Sequence, residues 1–339
     1  MTRGVAILKT PDFVKIAQHI KHGRNEMEPM RIRWLCAYVA AAFCGLVGLG
    51  ASALVFAVVP TDPVPGWVTA GVSAVLFIVL AFRSSSLGDQ LSERFARWRE
   101  SAVLMLDGEA SFAAYKGLGQ AEFDRSGLNN CDYNRYSCNS FLSVGKSQSS
   151  YVHVSHERTE TYYETEYYTD SQGHQQSRQV QKTRQVVVKV FSGLLVKHPA
   201  PMPKGGALML RSKRTGLPNG WHRLRVASPE LHNNYTVGAI EAYAGHRTLT
   251  PSFMVRLWNY SSQFKYLPSY AYRDGWLYLL IPDFWLSFGR QPSKWTAITG
   301  VGLQQCLDEC QASIQFLRKG SKALIPDQSK ELLVKVVKS

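Results

Sequence analysis

Hydrophobic positions are concentrated in two unbroken stretches near the start of the chain. Residues 34–59 (WLCAYVAAAFCGLVGLGASALVFAVV) and residues 64–82 carry no charged side chain, and Asp62 is the only charge between them. A helix needs about 20 apolar residues to cross a bilayer core. The pattern therefore predicts a transmembrane helical hairpin over residues 34–82.

Helical periodicity continues on both sides of these stretches. Residues 1–33 predict a cytosolic amphipathic helix that opens at Thr10–Pro11, because threonine caps a helix and proline fits its first turn. This helix would lie along the membrane or pack on the helix that follows the second stretch. Residues 83–110 predict a stalk helix, since apolar side chains recur at helical spacing as far as Leu106.

A β-prone composition marks a long hairpin in the middle of the chain. Residues 151–169 are rich in Thr, Tyr and Val, residues 178–191 are again β-prone, and the DSQGHQQ segment between them supplies turn residues. The first arm is acidic and the second is basic, so their pairing gives favourable charge pairs of about 0.2–1 kcal/mol each. The pattern predicts a ribbon that compensates most of its own charge.

Shorter elements complete a mixed domain over residues 111–320, with a tail at 321–339. Thr250–Pro251 predicts a helix start, an RDG turn predicts a hairpin of 270–272 with 276–282, and a last helix is expected over 302–318. Strands and helices do not alternate regularly. The predicted fold class is therefore α+β, a transmembrane helical hairpin followed by a cytosolic α+β domain with a long β-hairpin.

The distribution of Lys and Arg predicts the orientation of this anchor. Basic residues flank both apolar stretches on their outer sides, whereas residues 60–66 between them contain none. Lys and Arg near membrane helices favour the cytoplasmic side. We therefore expect a multi-pass protein of the cytoplasmic membrane with both termini in the cytoplasm, where structural disulfides are rare.

The net charge of +14 is unevenly spread. Residues 178–229 hold eleven Lys or Arg and no acid, and part of this surplus lies beyond the hairpin. A basic surface close to a membrane gains about 1 kcal/mol per charge from anionic lipid. The candidate contacts for lipid or for a protein partner are Lys204, Arg211, Lys213, Arg214 and Arg223. Nucleic acid is the less favoured ligand, because no recognisable binding module accompanies the charge.

Small residues recur on one side of the first apolar stretch, where another helix could approach closely. The face consists of Ala41, Cys44, Gly45, Gly48 and Ser52. Packing against the second stretch of the same hairpin is the preferred interpretation, and self-association into a homo-oligomer is the alternative.

Cysteines are the weak candidates for a metal site: Cys131, Cys138, Cys306 and Cys310. Zinc favours thiolate sets, but their spacing is not that of two close pairs, so we predict no metal and no cofactor. No catalytic signature such as GxSxG, HExxH or a phosphate-binding loop occurs. The catalytic residues, if the chain has any, stay unassigned.

Six segments in register resemble a known family. They are FDRSGL at 123–128, YNRYSCNSFLSVGKSQSSYVHVSHERTE at 133–160, VFSGLLV at 190–196, RVASPELHNNYTV at 225–237, RTLTPSFMVRLW at 247–258 and GWLYLLIPD at 275–283. Their order and spacing over most of residues 80–318 are similar to those of the bacterial family called domain of unknown function 3137. This resemblance implies a membrane-associated bacterial protein and supplies no mechanism.

The sequence predicts a binding or scaffold module anchored in a bacterial inner membrane. Its partner would be an anionic lipid surface or a protein docked by edge pairing on the long hairpin. The alternative is a membrane-tethered, hydrolase-like enzyme, whose site would not be recognisable from sequence.

Overall fold

The computed structural model describes residues 13–58, 64–129, 131–169, 175–202, 207–213, 216–284, 286 and 293–327. The chain divides into two compact units. Unit one is Met1–Phe112 with Ser287–Ser313, and unit two is Ala113–Leu286 with Ile314–Ser339.

Unit one is built on two long helices, α1 (Phe13–Val58) and α2 (Val64–Leu106). They are antiparallel, because Gly23 lies against Trp98 whereas Gly48 lies against Ser73. At about 1.5 Å per residue, each is about twice as long as a bilayer core is thick. Each helix therefore combines a potential span with an extension.

The helix extensions pack on each other through polar and aromatic contacts. The Trp98 ring stacks on His19 with centroids 5.1 Å apart, and its Nε1 donates a hydrogen bond to the His19 carbonyl at 3.1 Å. Arg94 forms an ion pair with Glu26. Of the two placements predicted for the N-terminal helix, the structure has it packed on the helix that follows the second span.

One boundary of the sequence prediction differs from the structure. The N-terminal helix does not end before the first apolar stretch at residue 34, because α1 runs through it without a break and contains Pro29. The predicted start at Thr10–Pro11 lies outside the described residues. On the other side of the hairpin, α2 continues to Leu106, as the stalk-helix prediction requires.

Both α1 and α2 contain a segment long and apolar enough to cross a membrane. In the most apolar window of each helix, 17 % and 6 % of the residues are buried. Leu49 and Phe82 are each 74 % exposed. The core helix of a soluble protein would bury most of such a surface, whereas these two helices leave most of it exposed.

Unit two contains an antiparallel sheet covered by short helices. Its helices are α3 (Gln120–Ser126), α4 (Pro229–Asn234), α5 (Ala242–Thr248) and α6 (Pro251–Ser261), and α7 (Gly300–Leu324) begins in unit one and ends in unit two. The strands are β1 (Ala110–Ala113), β2 (Arg135–Val144), β3 (Ser147–Thr169), β4 (Gln175–Pro199), β5 (Leu208–Ser212), β6 (His222–Arg223), β7 (Tyr235–Ala239), β8 (Ser269–Arg273) and β9 (Trp276–Pro282).

The strands of unit two follow the order β2-β3-β4-β9-β8-β5-β7-β6 within the sheet. The predicted mixture of helices and antiparallel strands is confirmed. The hairpin of β8 and β9 turns at Asp274 and Gly275, which have positive φ values of 54° and 77°, as a tight two-residue turn requires. Thr250 caps α6 by accepting a hydrogen bond from the Phe253 amide at 3.2 Å.

The core of unit two lies where β3, β4, β5, β8 and β9 meet. Phe123 of α3, Val152 of β3 and Leu195 of β4 are fully buried in one apolar cluster with Met209 and Ala271. Close packing continues between the backbones of β4 and β9, because a Cβ atom on Gly193 would collide with the Ile281 carbonyl. This core fixes the inner half of the long hairpin.

Candidate functional site: the outer ribbon

The predicted long hairpin is present, and it extends past its neighbouring strands. β3 pairs with β4 from Gln148↔Lys197 to Thr169↔Gln175, but β2 accompanies β3 only as far as Ser155 and β9 accompanies β4 only from Gly193. We call residues 158–169 with residues 175–186 the outer ribbon. At about 3.3 Å per residue it is about 40 Å long, and no third strand of the described chain pairs with it.

Side chains alternate between the two sides of this ribbon. One side, the charged face, carries Arg158, Glu160, Tyr162, Glu164, Glu166 and Tyr168 from β3 with Gln176, Arg178, Val180, Lys182, Arg184 and Val186 from β4. The other side, the uncharged face, carries Thr159, Thr161, Tyr163, Thr165, Tyr167 and Thr169 with Gln175, Ser177, Gln179, Gln181, Thr183 and Gln185.

Cross-strand ion pairs cover the charged face. Lys182 lies 2.9 Å from Glu164 and 3.0 Å from Glu166, and Arg184 lies 3.0 Å from Glu160. The guanidinium of Arg184 also lies 5.7 Å from the Tyr162 ring centroid. The ribbon therefore compensates its own charge.

These contacts set the protonation of the charged face. Hydrogen bonds from Arg184 and Arg158 lower the pKa of Glu160, and those from Lys182 and Arg178 lower the pKa of Glu166. Hydrogen bonds to Glu164 and Glu166 raise the pKa of Lys182. Every partner is solvent-exposed, so each pair contributes little to stability, but together they hold the face ionised near neutral pH.

Two ion pairs fix the base of the ribbon. Lys189 of β4 lies 2.8 Å from Asp283, and Glu157 of β3 pairs with Arg135. The Glu157 backbone amide also donates a hydrogen bond to the Asn134 side-chain oxygen at 2.8 Å. The inner sheet thus holds the two strands where they leave it.

One of the five basic candidates for lipid contact is wrong. Arg211 is 1 % exposed, and its guanidinium donates hydrogen bonds to the Leu128 carbonyl at 2.5 Å and to the Gly216 carbonyl at 2.8 Å. Its burial lowers the pKa of the guanidinium. Arg211 lies near the end of β5, and its buried guanidinium is held by carbonyl groups of the fold, so it cannot meet a membrane surface.

The remaining basic candidates divide into two groups. Lys213 and Arg223 are exposed, at the end of β5 and in β6. Lys204 and Arg214 lie outside the described residues. The basic surface available for anionic lipid is smaller than the sequence indicates.

The small-residue face of α1 lies against α2 within the same hairpin. A Cβ atom on Gly48 would collide with Ser73, and one on Gly45 would lie 3.1 Å from the Phe77 ring. Ala41 and Ser52 are buried, and Cys44 is half-buried. This geometry favours packing inside the hairpin, while the homo-oligomer alternative for these residues stays a prediction.

The four candidate cysteines do not form a metal-binding group. Cys131 is exposed and Cys138 half-buried in unit two, whereas Cys306 and Cys310 are buried neighbours on α7 in unit one. The hydrogen bond to Cys310 and burial raise the pKa of the Cys306 thiol. In the described parts of the chain, no three His, Cys, Asp or Glu side chains come together as a metal site.

Sequence reasoning missed the separation of charge between the faces of the ribbon. Within the outer ribbon, the charged residues of β3 are Arg158, Glu160, Glu164 and Glu166, and those of β4 are Arg178, Lys182 and Arg184, all at even positions. Comparing even with odd positions along each strand would have shown that the charged residues of that strand share one face. Only the strand register places both sets on one face.

The chain was compared with protein families, curated proteins and solved structures, and none of them matches it.

Proposed function

We propose that this chain is a membrane-anchored binding module that presents the outer ribbon to a protein partner. The observation that carries this proposal is the pair of helices with exposed apolar surface, joined in one chain to a domain whose outer ribbon pairs with no further strand of the described residues. A lipid-facing anchor explains the first feature. A docked protein explains the outer ribbon, because an isolated two-stranded ribbon is only marginally stable in water.

The membrane proposed is the cytoplasmic membrane of a bacterium, with both termini on the cytoplasmic side. The bacterial source rests on the resemblance to domain of unknown function 3137. The orientation is supported by basic residues before the first span and after the second, against none in the connecting segment 60–66. Multi-pass topology follows from the two spans.

A protein is the preferred partner, and anionic lipid is secondary. Of the proposed basic contacts, Arg211 is buried, which leaves Lys213 and Arg223 exposed in the described chain. At about 1 kcal/mol per charge, two residues give weak lipid attraction. No observation on the described residues favours the alternative of a membrane-tethered, hydrolase-like enzyme.

Alkaline extraction of membranes that contain the full-length protein tests the anchor. We expect the protein to stay in the membrane pellet and to require detergent for release. Reporters fused to the C-terminus test the orientation, with green fluorescent protein expected to fluoresce and alkaline phosphatase expected to be inactive. Release into the alkaline supernatant, or an active phosphatase, would overturn the proposal.

A further inference from the structure

The uncharged face of the outer ribbon differs from ordinary exposed β surface. All seven charged side chains of the ribbon lie on the opposite face, although both faces are accessible to water. Every residue of the uncharged face is exposed. Solubility alone gives no reason to keep charge off one face, because charged side chains on both faces would serve it equally well.

The composition of this face is that of a contact surface between proteins. Interface centres are depleted in charged residues and enriched in tyrosine, because charges are expensive to dehydrate and a tyrosine ring loses little conformational freedom. Tyr163 and Tyr167 are 68 % and 72 % exposed, and threonine, serine and glutamine surround them. Removing water from the uncharged face therefore costs little free energy.

The same composition narrows the class of partner. Nucleic acids and lipid headgroups carry phosphate and need cations to bind, and this face supplies none. An acidic or basic protein surface would find no charge complement. The best complement is another uncharged surface whose groups both donate and accept hydrogen bonds, as hydroxyl and amide side chains do.

A second copy of the same face meets these requirements. Thr, Ser, Gln and Tyr side chains pair with their own kind, and two uncharged faces do not repel each other when brought together around a twofold axis. We propose that the uncharged faces of the outer ribbons of two copies dock against each other. This inference rests on the proposed function, because the anchor confines both copies to one membrane.

The area of the uncharged face explains why docking between two copies would depend on the membrane anchor. A ribbon about 40 Å long and two strands, or about 10 Å, wide offers about 400 Å² per copy. Stable complexes bury about 800 Å² per partner. Docking of the ribbons alone is therefore weak, and confinement in the membrane raises the effective concentration that makes it measurable.

Adjacent tyrosines on opposite faces give a matched test. The photoreactive residue p-benzoylphenylalanine is placed at Tyr163 on the uncharged face or at Tyr162 on the charged face, in full-length protein that carries one of two tags and is coexpressed in membranes. We expect covalent adducts that contain both tags from the Tyr163 variant, at several-fold higher yield than from the Tyr162 variant. Mass spectrometry should place the crosslinks within residues 158–186 of the second copy.

A charge exchange at Gln181 identifies the partner as a second copy. Gln181 lies opposite Tyr163 on the uncharged face. In the Tyr163 crosslinking background, Gln181→Glu or Gln181→Lys alone should reduce the adducts, because each of the two faces then brings a charge of the same sign into the interface. Coexpression of the Glu form with the Lys form should restore them, and Gln176→Glu on the charged face should leave the yield unchanged.

Equal adduct yields from Tyr162 and Tyr163, adducts with other proteins only, or no rescue by the mixed Gln181 variants would overturn this inference. Alkaline extraction of the same membranes is measured in parallel. Protein that stays in the membrane but gives no adducts contradicts the docking of ribbons alone, whereas protein that is released contradicts the anchor on which both proposals depend.

Discussion

The two halves of the long hairpin share one ladder of strand pairs but have opposite surroundings. In the inner half, Val152, Val154, Leu194, Leu195 and Val196 are fully buried between neighbouring strands and helices. Beside the outer ribbon, the described part of the chain places no further strand, and the side chains of the ribbon are exposed or half-exposed. Folding of the domain therefore depends on the inner half, and the outer ribbon is available for another purpose.

The difference also shows how the sequence of one strand suits two environments, the protein interior and water. Apolar residues on successive positions suit a strand that is covered on both faces, as residues 194–196 are. Beyond residue 157 the sequence changes to alternating charged and hydroxyl side chains, which suit a strand that is wet on both faces. The change in pattern coincides with the point where β2 and β9 stop.

Removal of an inner apolar side chain should have the largest effect on stability. Leu195→Ala leaves a cavity in the central cluster and should lower the free energy of unfolding by about 2–5 kcal/mol. Thermal unfolding of the full-length protein in detergent measures the change. Val187→Ala, at a position 56 % exposed on the same strand, is the control and should change stability by about 0.5 kcal/mol or less. Equal losses of unfolding free energy in the two variants would contradict the expected difference between buried and exposed positions of the hairpin.

Acid should weaken the inner half through His198. Burial lowers the pKa of this imidazole to about 4, and neither ring nitrogen has a hydrogen-bond partner among the described groups. The unfolded chain takes up the proton near its ordinary pKa of 6.5, so stability falls as the pH drops from about 6.5 towards 4, by about 3 kcal/mol in total. His198→Leu should remove this part of the pH dependence. An unchanged acid slope in the variant would contradict the assignment.

Ion pairs in the two halves should differ in strength. Burial tends to raise the pKa of Glu122, but hydrogen bonds from Lys197 and Tyr278 outweigh it and lower the pKa. Lys197→Met leaves this carboxylate poorly solvated and should cost about 2 kcal/mol. Lys182→Met on the outer ribbon removes contacts with two glutamates but should cost less than about 1 kcal/mol, because those groups are exposed. Chemical unfolding of both variants decides the comparison, and a larger loss for Lys182→Met would reverse it.

Truncation of the outer ribbon should have the smallest effect on folding. Replacing residues 160–184 by Asn-Gly joins Thr159 to Gln185 through a turn that suits a two-residue hairpin. The unfolding temperature should stay within a few degrees of the parent value, since a change of about 1 kcal/mol shifts it by about 2–4 °C. The same variant should lose binding to its partner. A truncated protein that fails to fold would show that the ribbon is part of the core.

Much of the architecture follows from local patterns. The two apolar stretches, the long hairpin, the capped helix at Thr250–Pro251 and the RDG turn each depend on neighbouring residues, so the sequence predicts them directly. The continuity of α1 across residue 34 does not follow from such patterns. It depends on packing of the extension against α2, where Gly23 accommodates the Trp98 ring.

The candidate site is less predictable because it depends on contacts between distant residues. Arg211 looks like a surface cation in sequence, but the carbonyl group of Leu128, far along the chain, helps to hold its guanidinium inside the fold. The uncharged face needs the register of β3 against β4 before Tyr163 and Gln181 are known to be neighbours. Composition gives the number of charged residues in the ribbon, and only the strand register shows on which face each one lies.

Labelling with a lipid-soluble carbene reagent tests the membrane anchor most directly. The reagent reacts with side chains that face the hydrocarbon, and mass spectrometry locates the label in full-length protein within native membranes. We predict label on the apolar segments of α1 and α2, where Leu49 and Phe82 are exposed, and none on the outer ribbon. Unlabelled helices would contradict the account, because their apolar surface would then face protein and not lipid.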